Sequence, residues 1–187
     1  MKVIETNLPG CKVIEPAVFG DARGYFYEGW NAARFAEHGL PQQFVQHNVS
    51  HSQRGVLRGL HYQWPHNVQG KLVSVLAGEV YDVAVDLRRG SPTFGQHVAA
   101  ILSAENKRHF WIPEGFAHGF LTLSDTAIFT YLCTAPYDRD SDCNLRWDDP
   151  QLAIDWPLAD VALSGKDTAA PLLAELSAER LPVFIAP

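Results

Sequence analysis

The sequence predicts a mainly β protein, a β-sandwich or jelly-roll barrel with a few short helices. Three observations predict it. Short β-rich runs recur along the chain, bounded by Gly and Pro. Helical patterning is confined to two short stretches. The 14 Gly and 12 Pro are spread along the chain rather than gathered into a linker. At 187 residues the chain is one domain's worth, read here as a single domain over 1–187.

The elements follow in order. "KVIEPAVF" (12–19) reads as a strand. "NAARFAEHG" (31–39) is a short helix with Asn31 as N-cap and Gly39 past its end. "QFVQHNVSHS" (43–52) alternates, with His47, Val49 and His51 on the side of Val45. "RGVLRGLHYQ" (54–63) is a strand carrying two ionisable groups. "KLVSVLAGEVYDVAVDLRRG" (71–90) reads as a hairpin around Ala77-Gly78-Glu79. Residues 97–135 add several strands, broken at Pro113-Glu114-Gly115 and at Ser124-Asp125. "PLLAELSAERL" (171–181) is a C-terminal amphipathic helix opened by Pro171.

Composition narrows the function classes. Residues are 47% hydrophobic and 19% charged, as in soluble globular proteins. The first residues lack the apolar run of a signal peptide. No stretch approaches the roughly 18 apolar residues of a membrane span. Cys11, Cys133 and Cys143 lack metal-site spacing and suit reduced cytosolic thiols. A cytoplasmic protein with no membrane partner is expected. A net charge of −6 argues against a broad nucleic-acid surface. It leaves room for a small anion held by a few converging cations.

In a regular strand Arg58 and His61 would point to opposite faces. Gly59 lies between them, and a glycine inside a strand often marks a bulge, which would let both side chains enter one cavity. Taken alone, Arg58 is a surface cation and His61 a core histidine with one hydrogen bond. Other ionisable groups in strand contexts shift that balance. Lys71 opens the next strand, His118 follows a Pro-x-Gly turn, and Tyr131 interrupts an apolar run. Asp167 sits three residues before the position that would cap a helix opened by Pro171, so it has no tidy capping role there.

The eight histidines raise the possibility of a metal. A metal-binding barrel would want His-x-His followed by a carboxylate. Here Tyr62-Gln63 follow His61, and the His47/His51 pair has no carboxylate close by. No metal is expected.

"GDARGYFYEGWN", "QHNVSHSQRGVLRGLHYQ", "QGKLVSVLAGEVYDVAVDLRRGSPTFG" and "IPEGFAHGFLTLSDTAIFTY" resemble the dTDP-4-dehydrorhamnose 3,5-epimerase family. "LRWDDPQLAIDWP" and "SGKD" continue the likeness over nearly the whole chain. The resemblance implies a cupin-type jelly roll. It also implies a homodimer whose N-terminal stretch reaches the partner's site. The implied substrate is dTDP-4-keto-6-deoxy-D-glucose, epimerised at C3 and C5 within dTDP-L-rhamnose synthesis.

The resemblance also implies roles. His61 is the base, Asp167 its charge partner, Tyr131 the acid on the other face and Lys71 the cation facing the C4 oxygen. Arg23, Glu28, Gln46, His47, Asn48, Arg58, His118 and Lys166 match nucleotide-sugar contacts. Phe19 and Tyr137 are placed to pack on the thymine. Asp142 stands where many members carry Glu, and Trp30 where many carry a smaller or phenyl side chain.

This chemistry needs no cofactor, because a C4 ketone acidifies the hydrogens on both neighbouring carbons. Histidine, with an ordinary pKa of about 6.5, suits the base. Rival readings are a related cupin that epimerises one centre or moves the ketone, a metal-dependent cupin, and a non-catalytic sugar binder. Tyr131 argues for the double reaction.

Overall fold

The computed structural model describes residues 1–185. β-Branched and aromatic runs form thirteen strands among the described residues. These are β1 (Lys2–Glu5), β2 (Lys12–Glu15), β3 (Val18–Asp21), β4 (Gly24–Tyr27), β5 (Gln46–Gln53), β6 (Leu57–Gln63) and β7 (Lys71–Ala77). They continue as β8 (Glu79–Asp86), β9 (His97–Ser103), β10 (His109–Ile112), β11 (Phe116–Thr122), β12 (Thr126–Cys133) and β13 (Asp142–Asn144). Two short helices accompany them, α1 (Ala32–Ala36) and α2 (Gly165–Thr168).

Two antiparallel sheets form the sandwich. One has the order β1-β2-β10-β7-β12-β5 and the other β13-β6-β11-β8-β9. Among the described residues, strands β3 and β4 pair only with each other. The core lies between the sheets. Val73, Phe110 and Phe129 of the six-stranded sheet meet Val80, Leu102 and Phe120 of the five-stranded one. The Phe120 and Phe129 rings stack at 4.1 Å. Each such buried side chain contributes about 1.5–3 kcal/mol of transfer energy. A second cluster (Leu60, Tyr62, Val83, Leu145, Leu173, Leu181) joins the C-terminal segment to the five-stranded sheet. That sheet is therefore covered on both faces, which explains the nearly continuous apolar burial of β8 and β11.

The short helix is found where expected. Asn31 Oδ1 accepts the Arg34 N–H as the N-cap of α1. Three other expectations need correction. Residues 71–90 are not a hairpin. Only Gly78 separates β7 from β8, too little for a two-residue reversal. Each strand instead joins a different sheet. Gly78, at φ +77°, sits where a Cβ would lie 2.1 Å from the Thr126 carbonyl oxygen. Residues 12–19 form two strands, because the chain leaves the large sheet after Glu15.

The stretch 171–181 is not one helix but two 3₁₀ turns, Leu173–Glu175 and Ala178–Arg180. Tertiary partners take its backbone groups. The Leu173 N–H donates to Asp149 Oδ2. The Arg180 and Glu179 carbonyls accept from Tyr62 Oη and Trp64 Nε1. Leu172 and Leu176 stay extended so that Leu173 and Leu181 can both enter the core.

Candidate active site

The site is built on a flaw in the β6 ladder. His118 pairs with His61 and Phe120 with Arg58, so two steps on β11 span three on β6. One extra residue on β6 is a bulge. Gly59 takes φ +139°, and a Cβ there would lie 2.5 Å from the Gly119 Cα. Only two facing glycines let the backbones approach this closely. The bulge turns Arg58 and His61 into one cavity of about 410 Å³. Lys71, His118, Phe129, Tyr131 and Asp167 line the same cavity.

Asp167 arrives on α2, a single turn the sequence reading did not find. Ser164 is its N-cap, accepting the Asp167 N–H. This aims the carboxylate inward: His61 Nε2–H donates to Asp167 Oδ1 at 2.5 Å. That bond leaves Nδ1 as the imidazole's proton-accepting nitrogen. Burial pushes the Asp167 carboxyl up. Hydrogen bonds from His61 and Ser164 outweigh it and hold the group below an ordinary aspartate.

Lys71 is buried, with Nζ 3.4 Å from the His61 carbonyl oxygen. Burial pulls its ammonium below an ordinary lysine, opposed by the nearby Cys133, Asp142 and Asp82. Tyr131, on β12, has its phenol pushed up by burial and by Cys133, with Arg58 pulling the other way. It is a protonated donor at neutral pH. His118 Nε2–H donates to both oxygens of the fully buried Asp82 at 3.0 Å. Arg58 Nε–H donates to Ser52 Oγ.

A second cavity of about 360 Å³ shares His61, Lys71 and Tyr131, and extends to Gln46, Asn48, Tyr137, Asp142 and Lys166. Here Asp142 Oδ2 accepts from Lys166 Nζ at 2.5 Å and from Tyr137 Oη at 3.2 Å. The shorter aspartate thus ties together two groups the sequence assigns to the ligand. The Gln46 and Asn48 side chains are hydrogen-bonded to each other.

Four expected contacts lie elsewhere. His47 projects from the opposite face of β5, where it bonds to Thr130 and lines a groove with Trp30 and His109. The period-2 strand requires this once Gln46 and Asn48 face the cavity. Phe19 and Arg23 sit on the β3–β4 hairpin, and Arg23 pairs with Asp21. Glu28 follows β4 and pairs with Arg34. None of these four lines the central cavity.

Sequence reading missed Ser52, Asp82, Asn144 and Ser164, which hold the lining residues. Asp82 alone left a signal, as an acid inside the apolar run "VYDVAV". Ser50 was missed too: it lines the cavity with its hydroxyl unpartnered among the described residues. No three His, Cys, Asp or Glu residues among the described residues group as metal ligands would.

The fold and the pocket define a cupin-type barrel with a cavity equipped for proton transfer. The family model described as dTDP-4-dehydrorhamnose 3,5-epimerase matches residues 5–175. The chain belongs to that family of carbohydrate isomerases. It is 54% identical over 175 residues to the dTDP-4-dehydrorhamnose 3,5-epimerase of Salmonella typhimurium, covering 92% of this chain and 96% of that one. A crystal structure of a dTDP-6-deoxy-D-glucose-3,5-epimerase from Legionella pneumophila, in complex with dTDP-4-keto-L-rhamnose, superposes with a TM-score of 0.96. It is 58% identical and covers 99% of both chains. A 3′-monoepimerase from Streptomyces bikiniensis, in complex with dTDP-quinovose, has a TM-score of 0.89 at 34% identity over 95% of this chain and 91% of that one.

Proposed function

We propose that the chain converts dTDP-4-keto-6-deoxy-D-glucose to dTDP-4-keto-L-rhamnose by inverting C3 and C5. One observation carries this reading. His61, backed by Asp167, projects from the five-stranded sheet, and Tyr131 projects from the six-stranded sheet into the same cavity. A sugar ring between them has a base on one face and an acid on the other.

His61 Nδ1 takes the proton from C3 or C5, and the electron pair moves onto the C4 oxygen as an enolate. Lys71 Nζ–H stabilises that oxygen, an effect of about 3–4 kcal/mol by the scale of oxyanion-hole donors. Tyr131 then protonates the same carbon from the opposite face. Its phenolate recovers a proton from solvent and the His61 imidazolium releases one to solvent, so both are ready for the second carbon. The ketone supplies the acidity, so we read the reaction as cofactor-independent. Arg58 and Lys166 are the cations for the diphosphate, since guanidinium and ammonium groups donate strongly to phosphate oxygens.

The hairpin supports a homodimer. Phe19 is 66% exposed and Tyr25 59%, on a two-stranded element that pairs with no other strand among the described residues. Val45, Val49 and Leu76 add exposed apolar surface. In our reading the hairpin delivers Phe19 and Arg23 to a partner subunit's cavity, and the enzyme works in the cytoplasm. Sedimentation equilibrium tests the dimer.

The reaction is tested by proton NMR of dTDP-4-keto-6-deoxy-D-glucose and enzyme in D₂O. Deuterium at both C3 and C5, in a product the next reductase converts to dTDP-L-rhamnose, is the expected result. Exchange at one carbon would place the chain with the monoepimerase it resembles in fold.

A further inference from the structure

We propose that Ser164 is a positioning residue of the His61–Asp167 pair, its hydroxyl fixing which carboxylate oxygen faces the imidazole. This rests on the acid–base reading of the cavity given above. Helix α2 is one turn of four residues, too short to hold its own shape. Its side chain Asp167 must nonetheless meet His61 at a fixed angle.

One hydroxyl supplies two restraints. Ser164 Oγ accepts the Asp167 N–H at 3.1 Å and donates its own proton to Asp167 Oδ2 at 2.9 Å. Asp167 Oδ1 receives the His61 N–H at 2.5 Å. Each carboxylate oxygen thus has its own donor. The terminal torsion of an aspartate is broad and nearly two-fold, so without the serine a single bond to His61 would set it. The helix is also tied at the level of the base. Asn144 Nδ2–H donates to the Lys166 carbonyl at 2.9 Å, and Asn144 pairs with His61 in the β13–β6 ladder.

An ordinary N-cap accounts for the accepted bond only. The bond donated to Oδ2 acts on the carboxylate itself, alongside His61 and the Lys166 charge. Three variants separate the roles. Ser164→Thr keeps the cap and the donor. Ser164→Gly loses both hydrogen bonds, yet glycine is nearly as good an N-cap in energy as threonine, so the helix start is largely kept. Ser164→Ala loses both bonds and the capping energy as well.

The experiment measures kcat and KM of the three variants on dTDP-4-keto-6-deoxy-D-glucose. It also follows the Asp167 carboxyl carbon by ¹³C NMR through an acid titration without substrate. In Ser164→Gly, kcat should fall about tenfold, the scale of one charge-assisted hydrogen bond, with KM within about twofold. Its Asp167 titration should move to higher pH. Ser164→Thr should match the parent in both readouts, and thermal midpoints set aside any variant that is merely unfolded. A Ser164→Gly enzyme with parental kcat, or with an unmoved Asp167 titration, would reduce Ser164 to a cap and overturn the proposal. A Thr variant as poor as Gly would overturn it too. If the parent enzyme fails to turn over this substrate, the functional reading falls, while the Asp167 titration still decides the role of Ser164.

Discussion

His61 and Asp167 are 106 residues apart in sequence, yet Nε2 of one lies 2.5 Å from Oδ1 of the other. The contact needs a bulged strand on one side and a one-turn helix on the other. Replacing His61 with Ala should lower kcat about 10²–10⁴-fold, the range of a positioned general base. Asp167→Asn should give a smaller loss with KM little changed, since the base remains but its protonated form loses its counter-charge. Steady-state kinetics of the two variants checks the order. Equal losses in kcat and KM for Asp167→Asn would contradict the pairing.

Tyr131 predicts a separation of two events. In Tyr131→Phe, His61 can still remove a proton and return a solvent-derived one to the same face. Deuterium should therefore enter the sugar from D₂O while inverted product falls about 10²-fold. A variant that loses both together would show that the phenol does more than donate. Tyr131 must be protonated to act, and burial holds its phenol above the ordinary pKa of about 10. Any alkaline loss of activity near neutrality should therefore survive Tyr131→Phe.

Gly59→Ala tests the bulge. The added Cβ would meet backbone at 2.5 Å, on a residue held at φ +139°. Backbone cannot swing aside as a flexible side chain does, so the substitution should cost about 3 kcal/mol or more. Thermal unfolding would show it as a drop of several degrees, with activity lost in the folded fraction because His61 and Arg58 no longer share a register.

How much of this could be read from the chain depended on the reach of each signal. The strands, the Asn31 cap and the Gly59 bulge rest on neighbours in sequence, and they were legible. The 71–90 error came from treating a β-rich pair as a hairpin when one residue cannot reverse a chain. His47 takes the opposite face of β5 from Gln46 and Asn48, which strand alternation alone already dictates. Asn144 and Ser164 were invisible for another reason. Each matters through hydrogen bonds to an element distant in sequence or formed only on folding, and the packing that creates those bonds is not written locally. The helix expected at 171–181 failed likewise, because Asp149, Tyr62 and Trp64 claimed its backbone groups.

His109 carries the last prediction, on stability rather than catalysis. It is 5% exposed, its Nε2 has no hydrogen-bond partner among the described residues, and burial alone pulls its pKa to about 4. In the unfolded chain the ordinary value is about 6.5. Between these values the unfolded state binds the proton and the folded state does not. Stability therefore rises with pH across that window and is lost as pH falls from about 6.5 toward 4. The gap corresponds to roughly 3 kcal/mol, as an order of magnitude. His109→Phe keeps an aromatic ring against Tyr27 and breaks no Nε2 hydrogen bond. The variant should show a flatter dependence of unfolding free energy on pH between 6.5 and 4 while matching the parent near pH 8. Urea unfolding at four or five pH values measures both slopes. Parallel curves would mean that His109 is protonated in the folded protein and that some group faces it there.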